Sequence, residues 1–134
     1  MTEKNQQEQQ EILFKLSMFE QQVQQLQQQL QAVEQGIVEL NSLSLGLDGL
    51  DGKKGKEILA PIGKGIFAKA KLLSEELIVN IGDKTFVKKN ISETKKIIEK
   101  QIEKLEEVKK ELDKNLENVN GELRGLIKSV DNVQ

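Results

Sequence analysis

IGKGIFAK (residues 62–69) recurs nineteen residues later as IGDKTFVK (residues 81–88). Read alone, the first copy invites comparison with a glycine loop that cradles phosphate. A dinucleotide fingerprint needs a third glycine where Ala68 stands and a helix opening at the loop, and a phosphate loop needs Gly-Lys followed by Ser or Thr. Gly63-Lys64-Gly65 supplies neither, and a β-like run follows it. The repetition favours a different reading. Around the two copies lie four short runs rich in Ile, Val and Phe: EILAPI, IFAKAKL, LIVNI and TFVKK. Such runs, broken by glycine-containing turns, are the signature of β-strands. Gly63 to Gly65 and Gly82 to Asp83 sit where tight turns need positive φ. The phrase is therefore read as a hairpin corner used twice, with strands one and two forming one hairpin and three and four another.

Outward from this middle, the period changes. Ile12, Leu16, Phe19, Val23, Leu26, Leu30, Val33, Ile37 and Leu40 step by four and three in alternation, and Ser44 and Leu47 keep the phase. A second run holds Ile91, Ile98, Ile102, Leu105, Leu112, Leu116, Val119, Leu123, Leu126, Val130 and Val133, interrupted at Lys95 and Lys109. A 3.5-residue period is that of a coiled coil. EQQVQQLQQQLQAVEQ has the composition of a disordered polar tract, but Val23, Leu26, Leu30 and Val33 hold strict phase through it, which points to helix. The first helix is expected to fail near LGLDGLDGKKG, where four glycines carry a backbone entropy cost. Asn90 with Glu93 has the spacing of an N-cap and its partner, starting the second helix at Ile91.

The predicted fold is thus α+β: a long antiparallel coiled coil of N- and C-terminal helices joined by two β-hairpins. The expected segments are residues 1–50 for the first helix, 51–90 for the hairpins and 91–134 for the second helix. Antiparallel pairing brings Leu13 near Ile127. The alternative is that each helix pairs with another chain.

Composition narrows the chemistry. The 134 residues include no Cys and no His, and only 37% are apolar. Thiolate metal sites, disulfides and the commonest general base are thereby absent. No enzyme site can be assembled from what remains, so catalytic, cofactor and metal residues are all expected to be none. The net charge of −2 conceals a basic island: residues 53–90 carry nine Lys against four acids, while residues 1–52 carry two Lys against eight. A nucleic-acid patch would want stacking aromatics, yet the island has only Phe67 and Phe86, which recur at equivalent positions and read as core plugs. Lysines beside strands also discourage unwanted pairing. No stretch approaches the length of a membrane span or signal peptide. A soluble, cytoplasmic protein without nucleic-acid or membrane partners is expected.

Two hairpins bury too little apolar surface to stand alone, so the middle reads as an oligomerisation module. The helix ends hold a second anomaly. With Ile12 and Phe19 on the seam, Leu13, Phe14 and Met18 fall off it, as does Ile127 on the returning helix. Such residues either thicken the terminal packing or bind something apolar.

Helix, two hairpins and helix, with APIGKGIFAKAKL echoed by VNIGDKTFVKKN, resembles the archaeal prefoldin alpha subunits, of the GimC family of molecular chaperones. The resemblance spans nearly the whole chain. It implies hairpins that assemble into a β-barrel body within a hexamer of two alpha and four beta subunits. Ile58, Leu59, Ile62, Phe67, Ala68, Leu77, Val79, Ile81, Phe86 and Val87 would form the oligomerisation surface. Ile12, Leu13, Phe14, Leu16, Met18, Phe19, Leu126, Ile127 and Val130 would be the client-binding tips. The implied function is that of an ATP-independent holdase, capturing unfolded proteins and delivering them to a group II chaperonin. The alternative is a structural coiled-coil assembly or filament-forming subunit without client transfer. Relatives often carry a small residue between two glycines at both corners; here Lys64 replaces it in the first, and Gly82-Asp83-Lys84 lacks the second glycine.

Overall fold

A computed structural model describes the backbone of residues 2–133 and the side chains of residues 5–129. The elements are α1 (Thr2–Leu50), β1 (Glu57–Gly63), β2 (Ile66–Lys71), β3 (Leu77–Gly82), β4 (Thr85–Lys89) and α2 (Ile91–Val133). Contacts divide the chain into two compact units, Ile37–Lys104 and the pair of segments Met1–Gly36 and Leu105–Gln134.

In the first of these units β1 pairs with β2 and β3 with β4, both antiparallel and in separate two-stranded sheets. The two hairpins are built alike. In each, the register slips just before the corner, between Pro61 and Gly63 in one and Asn80 and Gly82 in the other. The slip is a β-bulge, and the bulge glycines adopt φ of 142° and 119°, values closed to other residues. Two-residue turns follow. Lys64 and Gly65 take φ of 50° and 79°, and Asp83 and Lys84 take 48° and 60°. Positive φ at both central residues suits the right-handed twist of the flanking strands. The second corner thus makes the same turn without the second glycine, assisted by the Asn80 side-chain carbonyl, which accepts from the Gly82 amide at 3.0 Å.

The core of this unit is Leu47, Ile91 and Ile98, with Leu40, Leu50, Leu77 and Ile102 packed around it. α1 ends at Leu50, within the glycine-rich stretch where its failure is expected, and this cluster explains why it first runs through Gly46 and Gly49. Burying Leu47 and Leu50 offsets the helix cost of two glycines, roughly 1 kcal/mol each. The helix ends where Gly52 turns left-handed at φ 74°. At the start of α2, Asn90 Oδ1 accepts from the Glu93 amide at 2.7 Å and Asn90 Nδ2 donates to Glu93 Oε1 at 3.4 Å. The N-cap is the one that its spacing predicts.

In the other unit the helices also run antiparallel, with Leu30 buried and Ile12, Leu16, Phe19, Val23, Leu26 and Val33 half-buried along α1. Leu105, Leu112, Leu116, Val119, Leu123 and Leu126 are half-buried on α2. Gly36 lies close to Leu105, whose Cδ1 stands 3.2 Å from where a Cβ would be.

Both lysines that interrupt the seam have acidic partners on α1. Lys95 is ion-paired with Asp48 in one unit, and Lys109 reaches Glu34 at 3.6 Å in the other. The sequence pattern marks these lysines as breaks; the structure makes them cross-helix bridges, one on each compact unit.

Candidate functional site: helix ends and hairpin faces

The seam dictates which apolar residues near the helix ends face the partner helix. Ile12, Leu16, Phe19 and Leu126 occupy seam positions and are half-buried. Leu13, Phe14, Met18 and Ile127 do not, and their exposures are 64%, 67%, 45% and 47%. The side chain of Val130 lies outside the described residues. Phe14 and Met18, four residues apart, share one helix face, and Phe14 lines a shallow groove with Gln7, Gln10 and Glu11. The patch is rimmed by polar side chains, Gln7, Gln10 and Glu11 among them, so its apolar residues stand as an island within a polar surface.

The hairpins carry a larger apolar surface. Strand alternation puts Ile58, Ala60, Ala68 and Ala70 on one face of the first hairpin, and Leu77, Val79, Val87 and Lys89 on the matching face of the second; all are half-buried. Leu77 reaches the core at the helix ends. The opposite faces are open. Leu59, Phe67 and Phe86 on them are each more than half exposed, as are Ile62 and Ile81 at the bulged corners, so Phe67 and Phe86 plug nothing within this chain.

Sequence reasoning omitted several exposed apolar residues. Ile66 and Ile78 belong with the hairpin faces, and the nineteen-residue offset that relates Leu59 to Ile78 would have found the latter. Leu73, 85% exposed, sits between the hairpins. Val38, Leu43 and Leu45 are exposed on α1 and off the seam, a position that heptad counting reveals.

None of these surfaces gathers a nucleophile, a general base and an electrophilic partner, and among the described residues no metal-ligating cluster occurs. No described helix is long and apolar enough to cross a membrane. The arrangement offers apolar contact.

Comparison with known proteins gives one family. The family Prefoldin, described as prefoldin subunit, matches residues 19–134. Curated relatives include the prefoldin subunit alpha of Methanobrevibacter smithii, 35% identical over 72% of this chain and 66% of the relative. That of Methanosphaera stadtmanae is 27% identical over 66% and 64%, and that of Methanococcus aeolicus 36% identical over 72% and 67%. The chain therefore spans slightly less than two thirds of some of these relatives. Among solved structures, a chain of filamentous PFD from Methanocaldococcus jannaschii superposes with a TM-score of 0.75 at 21% identity. The superposition covers 85% of this chain and 96% of that one. At that identity the likeness is one of fold: two long helices and two small antiparallel sheets.

Proposed function

The chain belongs to the prefoldin family, a family of chaperones rather than enzymes, and from that membership we propose that it is an ATP-independent holdase subunit. The observation that supports this reading most directly is the exposure of Leu13, Phe14, Met18 and Ile127 beside a seam that had room for none of them. Together with Ile12, Leu16, Phe19, Leu126 and Val130 they form a client-holding tip. A flexible thioether beside an aromatic ring adapts to many apolar sequences. Each contact is weak; a client that spans several tips in one assembly gains effective concentration and is held tightly yet reversibly. Transfer to a group II chaperonin then requires only that these weak contacts be released one at a time.

Prefoldin subunits assemble with one another, and residues 51–90 are the assembling module in this proposal. Ile58, Leu59, Ile62, Phe67, Ala68, Leu77, Val79, Ile81, Phe86 and Val87 contribute to a shared barrel, where Phe67 and Phe86 find the enclosure that one chain does not give them. The partner set is two alpha and four beta subunits, working in the cytoplasm. A second reading, a filament-forming subunit without client transfer, is favoured by the likeness to a chain of filamentous PFD.

The test mixes this chain with a beta-type prefoldin subunit and follows the aggregation of a denatured protein without ATP. Protection is expected, and replacing Leu13, Phe14, Met18 and Ile127 by Ser is expected to weaken it while native mass spectrometry shows the same assembly. Unchanged protection by an intact assembly would remove the tip assignment. Long polymers from this chain alone, without protection, would establish the filament reading instead.

A further inference from the structure

An apolar seam that repeats every seven residues does not by itself decide which turn of α1 meets which turn of α2. Leu26, Val33, Leu40 and Leu47 stand one heptad apart, so a slip of one heptad puts each in the place of the next and leaves most of the seam filled. Two seam positions are not apolar. Lys95 lies between the buried Ile91 and Ile98 and is ion-paired with Asp48. Lys109 lies between the half-buried Leu105 and Leu112 and pairs with Glu34. All four charged side chains keep contact with water, and ion pairs of that kind add little to stability. A leucine in place of either lysine would bury more apolar surface. Stability therefore does not account for these two lysines.

Their spacing does. Glu34 and Asp48 are fourteen residues apart on α1, as are Lys95 and Lys109 on α2, and fourteen residues are two heptads. One antiparallel register thus satisfies both pairs. At the heptads that alternate with the two acids, the same position of α1 holds amides, Gln27 and Asn41. We propose that Lys95 with Asp48 and Lys109 with Glu34 form a register lock, which selects one alignment of the two helices over those displaced by a heptad. A slip of seven residues in one direction sets Lys95 against Asn41 and Lys109 against Gln27. In the other direction Lys109 meets Asn41, and Lys95 passes the end of α1 at Leu50. Either way both ammonium groups lose their carboxylates, and Glu34 is set against Ile102 or Leu116 on the seam. A slip of two heptads returns the lysines to acids, Glu34 and Glu20, but unseats Leu40 as well as Leu47 from the core around Ile98. Polar residues on a seam fix alignment at a cost in stability, because they penalise the wrong pairings more than they favour the right one. The inference rests on the paired helices alone, and not on client holding or assembly.

The chain has no cysteine, so Gln22→Cys with Glu107→Cys, both at exposed positions, accept spin labels whose separation reads the register. Pulsed electron paramagnetic resonance on labelled chain diluted into unlabelled chain is expected to give a single separation. In K95L/K109L the denaturation midpoint should rise by about 5 °C, since apolar residues replace part-buried ion pairs. Further separations should appear in the same variant, displaced by about 10 Å along the axis, the rise of seven helical residues. Moving both acids by one heptad, with D48N, N41D, E34Q and Q27E combined, should populate the shorter of these separations. K95R/K109R keeps both charges and should keep the single separation. Circular dichroism checks helix content in each chain. One unchanged separation in all four chains overturns the inference, and so does a lower midpoint in K95L/K109L, which would make the pairs a source of stability and not of selection.

Discussion

Lys84 holds a left-handed backbone, φ 60°, at the position where the first hairpin has Gly65. A residue with a Cβ is disfavoured there by about 1–2 kcal/mol, while glycine loses about 0.5–1 kcal/mol more chain entropy on folding. The difference favours glycine. Lys84→Gly is expected to stabilise the second hairpin by about 0.5 kcal/mol, read as slower hydrogen exchange of the β3 and β4 amides, and Gly65→Ala to speed exchange in the first. Charge at single residues sets a second dependence. The hydrogen bond from Lys95 to the Asp48 carboxylate, aided by the negative charge of Asp48, Glu99 and Asp51, holds the ammonium above its ordinary lysine value. A raised folded value means that the stabilisation is fully present below the ordinary lysine range and lost as pH climbs through the raised value. Wild type and Asp48→Asn should therefore differ in thermal midpoint at neutral pH and converge at strongly alkaline pH. A gap that persisted there would show that Asp48 acts by something other than its pairing with Lys95.

Elements follow from periods, and this is why so much of the fold was legible. A 3.5-residue repeat sustained from Ile12 to Leu47 leaves one arrangement of that stretch, and alternation around two corners leaves another. Less visible was anything that depends on the opposite helix. Lys95 and Lys109 read as breaks because the acids they meet, Asp48 and Glu34, lie far off in sequence, and only antiparallel pairing brings them together. The end of α1 at Leu50 was legible from the glycines that follow it, although the burial of Leu47 that carries the helix through Gly46 and Gly49 is tertiary. The off-seam residues Leu13, Phe14, Met18 and Ile127 were visible because exposure is the complement of the seam, and Ile78 was within reach of the nineteen-residue repeat; the exposure of Ile66 follows from its place beside the corner in the folded hairpin. Where no tertiary contact opposes it, propensity should rule. Gly121 and Gly125 lie within α2 with nothing near a would-be Cβ. Gly121→Ala is expected to stabilise the helix by about 0.5–1 kcal/mol, seen as a higher denaturation midpoint at unchanged slope. Gly36→Ala should gain less, because its Cβ meets Leu105.

For the whole molecule the balance of burial decides how stability will behave. Among the described residues four apolar side chains are buried, Leu30, Leu47, Ile91 and Ile98, while sixteen large ones are exposed. Ile98, 3% exposed, anchors the core at the helix ends, and Ile98→Ala should cost about 2–4 kcal/mol. The exposed set contributes nothing comparable in the isolated chain, since its side chains remain in water. Substituting the four tip residues by Ser is therefore expected to leave the thermal midpoint nearly unchanged, which separates a loss of holding from a loss of folding. The hairpin residues behave differently once a partner is present. Covering them favours the folded chain alone, so stability should rise with partner concentration by mass action, about 2.7 kcal/mol at one hundred times the dissociation constant. For a chain of this size that corresponds to roughly 10 °C in thermal midpoint. Calorimetry over a series of beta-type subunit concentrations should show this rise for wild type and for the tip variant alike. Phe67→Ser with Phe86→Ser should diminish it while leaving the chain alone little changed. A midpoint indifferent to partner concentration would mean that the open hairpin faces are not where the assembly forms.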